Sequence, residues 1–269
     1  MRSSLAEALG INQDTEHSTL DFAQVVHNAP EWIRASPVFA MEGFQATNPD
    51  TKLFALTSGQ IVHQFIMITV HLRGEQPGQW QWTYLKIDFS DQPFPAGRQL
   101  VTLADDHEGL RYNKQSRGLG RVAGPEEHRH YENGPSLEDI VSLLEAVHSR
   151  TLGGYNCFGR NCLWLTENLL LATAHRYSAH WLSGFCHPGS LRSYLRGECD
   201  AIACISGMTY GQHGPIAQAM VGFGIWAWRT AAVMATHSGP RQIETHEEDI
   251  RLILEEWQRR PHVQARLMY

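Results

Sequence analysis

The sequence has no phosphate-cradling glycine loop with a following lysine and no Gly-x-Gly-x-x-Gly fingerprint. It also lacks a Gly-x-Ser-x-Gly elbow and a His-Glu-x-x-His helix. Gly118-Leu119-Gly120 is too short to stand in for any of them. Nucleotide-driven chemistry, serine hydrolysis and zinc proteolysis therefore have no support here. Positive charge is scarce as well. Lys and Arg number 22 against 28 Asp and Glu, a net charge of -6, so no global basic field draws the chain to nucleic acid. Five cysteines, an odd number in 269 residues, do not make a disulfide framework. Met1 to Gln13 holds no continuous apolar run of the secretory kind, and a cytoplasmic, reducing location is the expectation. No repeat or low-complexity tract is present.

What remains is globular composition, 42% hydrophobic and 19% charged. Residues 1–35 read as a polar N-terminal arm with a short helix around Leu20 to Val26. Val38 to Phe44, Ile61 to Leu72 and Trp80 to Phe89 read as strands. The second is rich in β-branched and aromatic residues, and the third alternates as a hairpin partner across the Gly74 to Gly78 turn. Leu100 to Leu103 and Leu119 to Val122 are shorter strand candidates. After Gly124-Pro125 the period changes to helical. Ser136 and Asp139 make a capping box ahead of Leu137, Ile140, Leu143, Leu144 and Val147. A helix beginning at Asn161-Cys162 runs to His175-Arg176. Thr245 to Glu248 is a second capping box, Ile250, Ile253, Leu254 and Trp257 form an apolar face, and Pro261 ends that helix.

The chemistry concentrates at Asn161-Cys162. The first turn of a helix is the positive end of its macrodipole, which suits a sulfur nucleophile and equally suits a small buried side chain. Thiol catalysis also needs a base and oxyanion donors. The backbone N–H of Cys162 supplies one donor. His63, opening the best strand with Gln64 beside it, is the candidate base. His71 shares its face if the strand is regular, but lies about 26 Å away at strand rise, so only one of the two can meet Cys162. Asp88, Gln64 or Asn161 would orient His63. Trp164, Trp82 and Tyr84 join Asn161 and Gln64 as candidate substrate-binding residues. Cys157 is a lesser thiol candidate. Cys157/Cys162 and Cys199/Cys204 have four-residue spacers, with Cys186-His187 between, a spacing permissible for zinc but not distinctive. The Glu126 to His130 run reads as a solvated loop. No metal or other cofactor is expected.

This order of parts, a strand-opening His, a hairpin ending in Ile87-Asp88, a capped helix and an Asn-Cys helix, resembles the circularly permuted papain-like proteins. Those include the NlpC/P60 peptidases, the lecithin-retinol acyltransferase group and the PPPDE peptidases. In layout it is most similar to a group of uncharacterised fungal proteins. The resemblance covers roughly residues 38–177. It implies a permuted papain-like α+β domain, an antiparallel sheet packed on a Cys-bearing helix. The acyltransferase group carries a second histidine on the partner strand, where this sequence has Trp82, Tyr84, Lys86 and Asp88.

The expected organisation is an arm (1–35), the papain-like domain (36–183) and a helical C-terminal region packed on the same core (184–269). The expected function is a thiol-dependent hydrolase or acyltransferase acting on an amide, thioester or ester, of a lipid or secondary metabolite if the apolar C-terminal segments form a pocket. Two alternatives stand beside it. One is a non-catalytic binding or oligomerisation module of the same fold. The other is a natural-product biosynthetic enzyme performing cyclisation or addition in the same pocket. A small-molecule or acyl substrate is the expected partner, and nucleic acid is not. The apolar run 216–235 reads as a buried hairpin, with membrane contact or homo-oligomerisation as its other uses, and Gln218 and Arg229 count against a span.

Overall fold

β-Branched and aromatic residues crowd the middle of the chain, and they form its sheet. A computed structural model describes residues 4–13, 15–46, 64–73, 80–90, 98–106, 116–124, 133–151, 162–177, 180–181, 241–260 and 262. Six strands are described: β1 (Glu16–Ser18), β2 (Val38–Ala46), β3 (Gln64–Arg73), β4 (Trp80–Ser90), β5 (Arg98–Ala104) and β6 (Ser116–Ala123). They hydrogen-bond in the order β1-β5-β4-β3-β2-β6, and every pairing is antiparallel. β2 to β5 thus form a meander, flanked by β1 on one edge and β6 on the other.

The described helices are α1 (Leu5–Leu9), α2 (Thr19–His27), α3 (Glu31–Arg34), α4 (Leu137–Ser149), α5 (Cys162–Arg176) and α6 (Arg241–Arg259). The protein is therefore α+β, an antiparallel sheet with helices packed on it. The described residues before β2 do more than an arm would, because Leu5, Phe22, Val26 and Ile33 are buried in the main core. α4 starts where the capping box predicts. Ser136 Oγ accepts from the Asp139 N–H at 3.1 Å, and Asp139 Oδ2 accepts from the Ser136 N–H at 3.0 Å. α6 begins at Arg241, so Thr245 lies inside the helix and not at its cap.

Strand alternation separates the two faces of the sheet. Ile66, Ile68, Val70 and Leu72 of β3, with Leu85, Ile87 and Phe89 of β4, join the helices in the main core. The opposite face carries a smaller cluster of Phe44, Phe65, Met67 and Ala104 with Tyr84 at its margin. β3 is buried on both faces, which explains its near-continuous apolar run. α5 is buried nearly all round because β2, β3 and β4 lie on one side of it and α4 and α6 on the other. Its apolar residues accordingly show no single stripe, as expected of an interior helix.

Candidate functional site

Cys162 is the first residue of α5, free, and 6% exposed. Contacts beyond the C-terminal end of α5 show where that end meets the sheet. Just beyond its far end, the Trp181 N–H donates to Tyr177 O at 3.0 Å. His180 fills the space beside Gly124 and Gly134, where an added Cβ would stand 2.3 and 2.6 Å from its Nε2. Gly124 donates to Phe39 O, Val38 donates to Pro135 O, and His71 donates to Pro37 O. The C-terminal end of α5 therefore lies at the end of the sheet where β3 finishes. At the near end, Trp164 Nε1 donates to Asp249 Oδ2 at 3.1 Å, anchoring α5 beside the middle of α6. α5 spans about 21 Å and contacts β2, β3 and β4 along the sheet.

Gln64 belongs by alternation to the α5-facing side of β3. It is 2% exposed, and among the described residues its Nε2 has no hydrogen-bond partner. Trp164 is buried and serves the α5–α6 contact just described. His63 and Asn161 lie outside the described residues, as do Cys157, Cys186, Cys199, Cys204, Glu126 to His130 and the run 216–235.

Three other candidate site residues occupy the opposite face of the sheet. Asp88 forms an ion pair with Lys86 at 2.7 Å and accepts from the Phe89 N–H at 2.7 Å. Lys86 Nζ sits 4.9 Å from the centre of the Phe65 ring in the smaller cluster. Trp82 is 41% exposed and stacks on His71, ring centres 4.4 Å apart, with Phe39 at 5.1 Å. Tyr84 is half-buried. Burial raises its pKa above the ordinary value, and the nearby charges of Asp106 and Glu42 raise it further. The sheet therefore separates Asp88, Trp82, Tyr84 and His71 from Cys162 and groups them into an aromatic and charged surface of their own.

The polar interior of α5 escaped the sequence reading. Thr166 is 1% exposed, and among the described residues its Oγ1 has no hydrogen-bond partner. Its only sequence signal was a threonine one turn after a candidate nucleophile. Among the described residues no group of three or more His, Cys, Asp or Glu is placed to hold a metal ion, and no helix is long and apolar enough to cross a membrane. Compared with protein-family models, curated proteins and solved structures, the chain matches none.

Proposed function

We propose that the protein is a thiol-dependent hydrolase or acyltransferase of permuted papain-like architecture, with Cys162 as nucleophile and His63 as base. The observation that carries this reading is that Cys162, a free cysteine, is the first residue of a helix packed on β3, the strand that follows His63 in the chain. In the reaction, Cys162 Sγ attacks the substrate carbonyl carbon as His63 takes the thiol proton. The oxyanion accepts from the Cys162 N–H. Collapse breaks the bond to the leaving group, which receives the proton from His63, and leaves a thioester. Water or an acceptor, deprotonated by His63, then displaces the sulfur. Because the even-numbered face of β3 meets α5, this reading requires the strand alternation to break between His63 and Gln64.

Site-resolved alkylation tests it. Iodoacetamide should modify Cys162 at neutral pH at least tenfold faster than a free thiol, as expected of an activated sulfur. His63→Ala should abolish that excess. Reaction no faster than a free thiol overturns the reading.

A second reading is a non-catalytic binding module that uses the opposite face; the burial of Cys162 and the engagement of Asp88 by Lys86 on that face favour it. On this reading Cys162 resists alkylation until the protein unfolds, and Trp82→Ala or Tyr84→Phe, not Cys162→Ala, weakens ligand binding.

A further inference from the structure

Asp139 is 1% exposed and accepts hydrogen bonds on both carboxylate oxygens. Oδ2 accepts from the Ser136 N–H at 3.0 Å and from the Ser136 hydroxyl at 2.9 Å, and Oδ1 meets His262 Nδ1 at 2.7 Å. An ionised carboxylate can only accept, so the proton of the neutral ring lies on Nδ1 and the lone pair on Nε2. Nε2 has no hydrogen-bond partner among the described residues, and the His262 side chain is 45% exposed. The ring is held from the inside and open on the outside.

The carboxylate itself is firmly supported. Asp139 stands in the first turn of α4, and Trp257 Nε1 donates to its backbone oxygen at 2.9 Å. The backbone oxygen of Trp257 accepts in turn from Arg176 at 3.3 Å. The start of α4, the end of α5 and the end of α6 therefore meet here, and His262 lies just past α6. Cys162 begins the other end of α5, about 21 Å along the helix.

A buried carboxylate on Nδ1 and an open Nε2 divide the work as acid–base catalysis requires. The anion fixes the tautomer and stabilises the positive charge that develops on the ring, and Nε2 meets the substrate. Asp88, expected to serve His63 in this way, is instead paired with Lys86. A neutral activated ester suits such a ring, because its carbonyl carbon is electrophilic and it brings no charge to repel Asp139.

We propose that His262 and Asp139 form an acyl-transfer centre of their own, with His262 Nε2 as nucleophile toward an activated ester and Asp139 as its positioning residue. Nε2 attacks the carbonyl carbon, the bond to the leaving oxygen breaks, and the acyl group stays on the ring as an acyl-imidazolium beside the Asp139 carboxylate. Water then adds to the acyl carbon, and the bond to Nε2 breaks with its electron pair returning to nitrogen. The proton from water goes to the departed alkoxide, so the products are a carboxylic acid and an alcohol. The centre does not depend on Cys162.

Hydrolysis of p-nitrophenyl acetate by the Cys162→Ala protein tests this with the thiol removed. The rate should exceed that of free imidazole at equal concentration and pH by about tenfold or more, and His262→Gln should remove the excess. Asp139→Asn keeps the ring in place but sets a donor beside Nδ1, which moves the ring proton to Nε2. Nitrogen NMR of the ring should show that change of tautomer, and the rate should fall about tenfold or more. Circular dichroism checks that each variant is folded. The unmutated protein gives a further measurement: diethyl pyrocarbonate should modify His262 about tenfold faster than His175, which is exposed on α5. A rate equal to that of imidazole, a rate unchanged in His262→Gln or in folded Asp139→Asn, or equal modification of His262 and His175 overturns the proposal. Each of these leaves the Cys162 reading to its own alkylation test.

Discussion

Thr166 carries a cost that a purely structural residue has no reason to keep. A buried hydroxyl without a partner destabilises the fold, so Thr166→Val should raise unfolding free energy by about 1 kcal/mol, measured by urea denaturation. Ser136 is the opposite case. Both halves of its capping box are formed, and Ser136→Ala should cost about 1 kcal/mol. Ser136 was legible in the sequence because a cap is a local pattern of residue types four positions long. The state of Thr166 was not, because it depends on what surrounds the side chain and not on its neighbours in the chain. Asp88 shows the same limit. Its residue type suggested an orienter for His63, while the sheet gives it Lys86 as a partner on the face away from Cys162.

The helices show which local signals suffice. α4 begins at its capping box, but α6 extends upstream of Thr245, because hydrogen bonding within a helix continues past a favourable cap when nothing in the backbone stops it. What fixes α6 in place is Trp257. It is 1% exposed, donates to Asp139 O at 2.9 Å, and lies 4.3 Å beneath the Arg176 guanidinium. Trp257→Ala should therefore cost about 3–5 kcal/mol. Trp257→Phe, which keeps the ring packing but loses the hydrogen bond, should cost about 1 kcal/mol. Denaturation of both variants against the native protein separates the two contributions. The Cys-bearing helix was also legible as an element. The burial of its described residues as far as Ala174 followed only from the layers that enclose it.

Across the molecule, α4 and α6 meet through titratable groups, and this sets a pH dependence. Burial lowers the pKa of His148 from its ordinary 6.5, against an opposing pull from Glu145. Burial alone would raise Glu256, yet hydrogen bonds from Ser149 and Arg260 bring it below its ordinary 4.5. In both cases the unfolded chain binds a proton that the folded one resists, so stability rises with pH. The His148 contribution is present above about pH 6.5 and fades below it; the Glu256 contribution fades below about pH 4.5. Thermal unfolding should show Tm falling as pH drops through the first window, and His148→Gln should flatten that step. The sequence by itself determined the α+β class, the strong strands, the capped helix and the cysteine at a helix start, because periodicity and caps are short-range properties. Tertiary structure alone decided that Leu5, Phe22, Val26 and Ile33 join the core, that Asp88, Trp82 and Tyr84 share a face apart from Cys162, and that Thr166 Oγ1 and Gln64 Nε2 are buried without hydrogen-bond partners among the described residues. Which groups meet depends on strand order, on helix direction and on the side of the sheet to which each residue is turned, and these arise only when distant segments pack together.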